Sequence, residues 1–109
     1  MRYDLQFYTD QNGRAVLLRD GHALVLPVMR HYLLRALLRV GERGISLNDL
    51  AEAVGKSPNL TKAHLHFLRA DLRWIGLSVK PKPYRLVVLT AVEPKYEDQD
   101  RAKVARPVL

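Results

Sequence analysis

Four basic side chains stand at helical spacing near the middle of the chain. They are four, three and four residues apart: Lys62, His66, Arg69 and Arg73. Each helical residue advances about 100° around the axis, so these spacings place all four along one edge of an α-helix. Ammonium, imidazole and guanidinium groups in such a row can donate hydrogen bonds to anions. We call this row the basic edge; a merely solvated helix face is the alternative interpretation.

The same segment carries an apolar stripe about a quarter turn away. Its members are Thr61, Leu65, Leu68, Leu72 and Ile75. A stripe with this period predicts a helix that packs one face against a core. The remaining sides hold Leu60, Ala63, Phe67, Ala70 and Trp74. Apolar side chains therefore also lie where solvent is expected, which predicts a contact with another segment or a partner.

Capping residues predict where this helix and the one before it begin and end. Ser57 and Pro58 suit the start of a helix over 58–75. Upstream, Ser46 can accept a hydrogen bond from the backbone of Asp49, and Gly55 suits the end of that shorter helix. Only Gly55, Lys56 and Ser57 separate the two helices. Residues 46–76 are therefore predicted to form a helix-turn-helix.

The flanking segments are predicted to form strands and a first helix. Residues 1–26 alternate strand-like runs with the turn dipeptides Asn12-Gly13 and Asp20-Gly21, which favour an antiparallel β-meander. Pro27 is predicted to be the first residue of a helix over 27–44. Residues 77–90 predict a β-hairpin whose tip is Pro81-Lys82-Pro83. The charged tail, residues 91–109, is expected to be flexible.

Composition narrows the class of partner. The chain has 109 residues, is 48% hydrophobic and 27% charged, and carries a net charge of +7. Residues 27–90 contain eleven basic and four acidic side chains, which accounts for the whole excess. A localised positive charge favours an acidic partner such as nucleic acid or a membrane surface. Because no signal peptide or membrane-length apolar run is recognised, we expect a cytoplasmic protein with no membrane partner.

Catalysis is not expected from these residues. The chain has no cysteine, which excludes thiol catalysis and thiolate metal sites. His64 and His66 point about 200° apart on a helix, so they cannot share a metal ion. No glycine-rich phosphate loop, nucleophile motif or paired acid cluster is recognised. We therefore expect a protein without enzymatic activity and without a cofactor.

The stretch HLHFLRADLRWIGLSVKPKPYRLVVL resembles the recognition helix and wing of the OmpR/PhoB family of response regulators. The matching positions are Leu68, Arg69 and Leu72, followed by Tyr84, Arg85 and Leu86. The resemblance covers residues 3–90 and implies an α+β fold: a winged helix-turn-helix with an N-terminal antiparallel β-meander and a C-terminal β-hairpin wing. These 109 residues contain no match to the family's receiver domain, so no phosphoacceptor aspartate is expected; the turn between the helices is short, and the wing lacks the family's Gly-x-Gly.

The resemblance assigns roles to residues of the third helix. It implies that Lys62, Ala63, His66 and Phe67 lie toward the major groove of DNA and that Arg69 contacts phosphate. Elementary chemistry gives a similar division, because Lys62 and His66 can donate to guanine whereas Ala63 and Phe67 can meet a thymine methyl group.

The flanking cations complete the predicted interface. Arg69 and Arg73 lie on the flank of the helix, where backbone phosphates are expected. Lys80 and Lys82 in the hairpin can reach the adjacent groove or backbone. Lys56, beside a helix N-terminus, is a further phosphate candidate. Asn59, in the first turn of the helix, completes the set of candidate DNA-binding residues.

Two functions compete. The preferred one is sequence-specific binding of double-stranded DNA by a small transcriptional regulator that acts by repression or local architecture. We expect this regulator to be nucleoid-associated when bound to DNA and to form a homodimer through the N-terminal sheet or the tail. The alternative is a protein-interaction module that uses Phe67, Trp74 and the tail. A second basic row on the first helix is interpreted as its solvent-facing side: His31, Arg35, Arg39 and Arg43.

Overall fold

The computed structural model describes residues 4–94, which form three helices and two small antiparallel sheets. The elements are β1 (Gln6–Thr9), β2 (Ala15–Arg19), β3 (His22–Val25), α1 (Val28–Val40), β4 (Ile45–Ser46), α2 (Leu47–Val54), α3 (Pro58–Leu72), β5 (Leu77–Lys82) and β6 (Leu86–Ala91). Single 3₁₀ turns, Gly41–Arg43 and Arg73–Ile75, follow α1 and α3. The predicted α+β class is confirmed, whereas most of the predicted tail lies outside the described residues.

The first sheet is the predicted meander, in the order β1-β2-β3. The turn between β1 and β2 is organised by Asp10, whose carboxylate accepts from the backbone N–H groups of Asn12 and Arg14, both at 2.9 Å. Asp20 and Gly21 join β2 to β3 with positive φ angles of 50° and 81°. Aspartate and glycine tolerate this left-handed backbone better than most residues, which is why the turn was recognisable.

The first helix begins and ends differently from the prediction. Pro27 precedes α1 with ψ of 150°, so it lies in extended backbone and is not the first helical residue. The α-helix stops at Val40, because Gly41 takes a positive φ of 63° and the chain continues as a 3₁₀ turn. The predicted single helix over 27–44 is therefore divided. Its apolar side is as expected, with Leu33 and Leu37 fully buried.

The caps of α2 and α3 agree with the prediction. The Ser46 hydroxyl accepts from the backbone N–H of Asp49 at 3.1 Å, and the Ser57 hydroxyl accepts from that of Leu60 at 3.2 Å. Gly55 ends α2 in the left-handed conformation, with φ of 71°. The last residues of the predicted third helix form the 3₁₀ turn, so the α-helix itself ends at Leu72.

The second sheet contains a strand that the sequence did not reveal. Its order is β4-β6-β5, and β4 pairs Ile45 with Val87 and Ser46 with Leu86. A two-residue strand has no hydrophobic period from which it can be recognised. Gly44 precedes it where the backbones come close: a Cβ there would lie 3.0 Å from the carbonyl oxygen of Val87. As a result α2 starts directly from the sheet.

One hydrophobic core joins both sheets to all three helices. The fully buried leucines include Leu17, Leu34, Leu50, Leu68 and Leu77, one from each of β2, α1, α2, α3 and β5. Burying a leucine side chain contributes about 1.5–3 kcal/mol, so this core holds α3 firmly in place. Among the described helices, none is long and apolar enough to cross a bilayer.

Candidate nucleic-acid interface

The orientation of α3 is determined by its buried stripe. Thr61, Leu65, Leu68 and Leu72 are buried, and the next residue of the predicted stripe, Ile75, is buried in the 3₁₀ turn. Four buried positions at spacings of four, three and four turn the opposite side of the helix outward. The predicted core stripe is confirmed.

The outward face of α3 combines hydrogen-bond donors with small and apolar side chains. We define it by its exposed residues: Asn59, Leu60, Lys62, Ala63, His66, Phe67 and Ala70. It brings together five of the predicted site residues. Ala63 and Ala70 let another surface approach the helix closely. The face carries no acidic side chain, because Asp71, the one acid of α3, is ion-paired to α1.

Phe67 is held by a contact from α1 that the sequence did not predict. The guanidinium carbon of Arg30 lies 5.1 Å from the centre of the Phe67 ring, and Arg30 Nη1 donates to the Asp71 carboxylate at 2.7 Å. The His66 ring meets Phe67 edge-on at 5.4 Å. Phe67 is still 50% exposed. Arg30 was missed because it is 41 residues from Asp71, and no local spacing connects them.

The basic edge does not form one uniformly exposed row. Lys62 and His66 are exposed, but Arg69 is only partly exposed and its Nε donates to the backbone carbonyl of Val79 in β5 at 2.8 Å. Arg73 lies in the 3₁₀ turn, partly buried, with its Nε enclosed. Within the C-terminal half of the edge, Arg69 therefore fastens α3 to β5.

The tip of the hairpin differs from the prediction. Lys82 pairs with Leu86, so Pro81 and Lys82 belong to β5 and the tip is Pro83, Tyr84 and Arg85. Tyr84 and Arg85 both take left-handed backbone conformations, with φ of 69° and 61°. Such conformations are unfavourable for tyrosine and arginine, and the turn contains no glycine, so the sequence did not predict its position. Tyr84 is 92% exposed and Arg85 is exposed beside it.

The two hairpin lysines have different surroundings. Lys80 is exposed, whereas Lys82 is partly buried. The methylene chain of Lys82 lies near Gly44, where its Cδ would be 3.3 Å from an added Cβ. Lys82 can still extend its ammonium group to solvent, because a lysine stem can pack while its charge remains hydrated.

Several cations around α3 are free to meet an external anion. Lys56 is exposed in the turn before α3, with its backbone N–H bonded to the carbonyl of Ala51 at 3.0 Å. Lys56, Lys62, Lys80 and Arg85 have no ion-pair partner within residues 4–94. An external phosphate would therefore not have to displace an internal partner.

The histidines and Trp74 have separate environments. His64 is partly buried with Nδ1 enclosed, whereas His66 is exposed on the outward face. In the part of the chain that is described, no group of three histidine or acidic side chains is placed to hold a metal ion. Trp74, the second predicted anchor for a protein partner, is partly buried in the 3₁₀ turn.

A second set of cations lies on α1 and on the 3₁₀ turn that follows it. Arg35, Arg39 and Arg43 are exposed, and the guanidinium carbon of Arg35 lies 5.3 Å from the centre of the Phe7 ring. His31 meets the same ring edge-on at 5.2 Å. Partial burial, reinforced by the nearby Arg35 charge, lowers the pKa of His31 below its usual 6.5. The positive charge of this surface at neutral pH therefore resides on the arginines.

Two sequence comparisons found no match: the sequence matches no protein-family model and no curated protein. The function must therefore be inferred from the residues and their placement.

Proposed function

We propose that the protein is a winged-helix protein that binds duplex DNA with the outward face of α3 and regulates transcription. The proposal is based on one observation above all: an exposed helix face with donors, small residues and no acid, bordered by unpaired cations. An α-helix fits the major groove, where Asn59, Lys62 and His66 would meet base edges.

The hairpin is a second feature that supports this proposal. Its strand β5 is bonded to α3 through Arg69 and Val79, and Lys80, Tyr84 and Arg85 are exposed on or beside its tip. A basic hairpin next to a groove-binding helix can contact the backbone or the adjacent groove. In this arrangement the phosphate contacts would position the protein, and the outward face of α3 would read the sequence.

A titration with duplex DNA tests the proposal. Binding to random-sequence and selected duplexes would be measured by fluorescence anisotropy at about 50 mM and about 200 mM salt. We expect salt-dependent binding, and Lys56→Ala should flatten the slope of log K against log salt by about one unit, because one phosphate contact is lost. Absence of binding to any duplex at the lower salt concentration would refute DNA binding.

Arg14→Ala is the matched control for Lys56→Ala. It removes the same charge from an exposed position, but on the first sheet, where Arg14 pairs with Asp10. Exposed ion pairs contribute little stability, so this variant should fold normally. We expect it to keep the parent's salt slope. An equal change in both variants would mean that net charge alone governs binding.

His66→Ala tests whether the outward face reads sequence. Losing one good base contact reduces discrimination at that base pair by about 1–3 kcal/mol. We therefore expect a selected duplex to lose its advantage over random DNA, with little change in the salt slope. Selection of the same site by parent and variant would contradict a reading role for His66.

The alternative function has a specific observation in its favour. Leu60 and Phe67 are 45% and 50% exposed on the same face, and aromatic side chains of this kind often anchor protein interfaces. If the duplex titration fails, a protein partner becomes the preferred proposal. Loss of a captured partner in Phe67→Ala, with the fold intact, would then support it.

A further inference from the structure

The arginines of α1 form a second positively charged surface. We call Arg35 and Arg39 of α1, together with Arg43 of the 3₁₀ turn after it, the α1 arginine row. The side chains of Arg39 and Arg43 are exposed and have no hydrogen bond or ion pair with any residue from 4 to 94. Arg35 and Arg39 are four residues apart, which on α1 corresponds to a rise of about 6 Å. The row therefore presents three exposed guanidinium groups, two of them about one helical turn apart on α1.

The two arginines of the row that belong to α1 point away from α3. Arg30 marks the side of α1 that faces α3, because it contacts both Phe67 and Asp71. At about 100° per residue, Arg35 lies about 140° and Arg39 about 180° around α1 from Arg30. A duplex held on the outward face of α3 would therefore not meet Arg35 or Arg39, so a polyanion bound by them is a separate molecule or segment.

One member of the row is held in place by the first sheet. The Arg35 guanidinium lies against the Phe7 ring of β1, a cation–π contact that limits its freedom. A guanidinium that is already positioned loses less side-chain entropy when it binds, and its planar fork suits phosphate oxygens. The row thus combines exposure, two arginines about one turn apart on α1 and one preorganised donor.

We propose that the α1 arginine row binds a second segment of duplex DNA, so that one chain bridges two duplexes. This inference rests on the proposed function, because the first duplex is the one held by α3. DNA is favoured over a membrane surface because the exposed apolar residues of this side, Val28 and Tyr32, lie only near the start of α1, and arginines occupy its later turns. Bridging would give the local architectural role expected from the sequence.

A bridging assay tests the inference. One duplex is fixed to beads, and recovery of a second, labelled duplex measures bridging, while anisotropy measures binding to a single duplex. We expect Arg39→Ala/Arg43→Ala to reduce bridging by about tenfold or more at moderate salt, because two phosphate contacts are lost. Binding to a single duplex should change by less than about twofold beyond the control, because α3 is intact.

A charge-matched control separates the row from net charge. Arg101→Ala/Arg106→Ala removes the same charge outside the described residues. Equal loss of bridging in both double variants would overturn the inference, as would full bridging by Arg39→Ala/Arg43→Ala. Capture of anionic vesicles instead of a second duplex would also overturn it.

Sedimentation of the parent and of each variant measures the oligomeric state and so tests whether bridging arises from dimerisation instead. If the parent is a dimer and Arg39→Ala/Arg43→Ala is a monomer, bridging arises from dimerisation and the inference is wrong. If the parent binds no single duplex, the proposed function itself fails. If the parent binds single duplexes but does not bridge them, only this inference fails.

Discussion

The two halves of the basic edge share one helical spacing but have different surroundings. In the N-terminal half, Lys62 and His66 are exposed, and the His66 ring meets the Phe67 ring. In the C-terminal half, Arg69 bonds to β5 and Arg73 is partly buried in the following turn. Spacing determines the direction of a side chain, whereas the neighbouring element determines whether it remains available.

This difference suggests that one half of the basic edge stabilises the fold and the other half makes external contacts. In the C-terminal half, Arg69 connects the helix to the hairpin. The N-terminal half is then free to make external contacts without loss of internal bonds. Substitutions in the two halves should accordingly separate stability from binding.

The largest expected effect comes from the buried side of the helix. Leu68 is fully buried, so Leu68→Ala removes apolar contacts, leaves a cavity, and should lower the free energy of unfolding by about 2–5 kcal/mol. Leu60→Ala is the matched control on the same helix, because Leu60 is 45% exposed, and it should cost less than about 1 kcal/mol. Urea unfolding measures both, and similar values would contradict the orientation of α3.

Arg69→Lys sharpens the comparison because it keeps the charge and removes the Nε donor. The bond to the Val79 carbonyl should be lost, which lowers the free energy of unfolding by about 1–2 kcal/mol. Duplex binding should be retained if Arg69 also meets phosphate, since a lysine supplies the same charge. Lys62→Arg is the control and should change stability by less than about 0.5 kcal/mol. Unchanged stability in Arg69→Lys would show that this bond does not fasten α3.

Most elements could be predicted because their signals are local. Ser46 and Ser57 cap helices through residues three positions ahead, and Asp20-Gly21 forms its turn with two residues. The buried stripe of α3 has a period that the sequence displays directly. Such features depend on a few neighbouring residues, so contacts with the rest of the chain do not alter them.

The predictions failed for features that depend on contacts between residues distant in the sequence. Arg30 reaches Asp71 across 41 residues, and Arg69 bonds to a carbonyl of the next strand. The strand β4 exists only because β6 pairs with it. In the hairpin, Pro81 and Lys82 were assigned to the tip because prolines often mark turns, yet the pairing of Lys82 with Leu86 moves the tip to Tyr84 and Arg85. The candidate site was therefore predicted better on its helix than at its hairpin.

A smaller effect is expected at the hairpin tip. Tyr84 has a positive φ of 69° and is 92% exposed, so replacing it relieves backbone strain without losing buried area. Asparagine tolerates this conformation, and Tyr84→Asn should raise the free energy of unfolding by about 0.5–1 kcal/mol. If the tip meets DNA, duplex affinity should fall at the same time. A variant that is less stable than the parent would contradict the strained conformation of Tyr84.

The smallest effect concerns the pH dependence of stability near α1. Burial against Phe7, with help from the Arg35 charge, lowers the pKa of His31 below the 6.5 of an unfolded chain. The unfolded state therefore binds the proton more strongly than the folded state. The stability associated with neutral His31 is complete above about pH 6.5 and declines as pH falls toward the pKa of the folded protein.

Replacing His31 by glutamine should remove this part of the pH dependence. We expect the melting temperature of the parent to fall more between pH 7.5 and pH 5 than that of His31→Gln, and an NMR titration to give a His31 pKa below 6.5. A higher pKa would mean that the imidazolium is stabilised beside Arg35, which two like charges do not favour without an acidic partner. That result would require an anion close to the α1 arginine row, so the same titration repeated with duplex DNA would report on the occupancy of that surface.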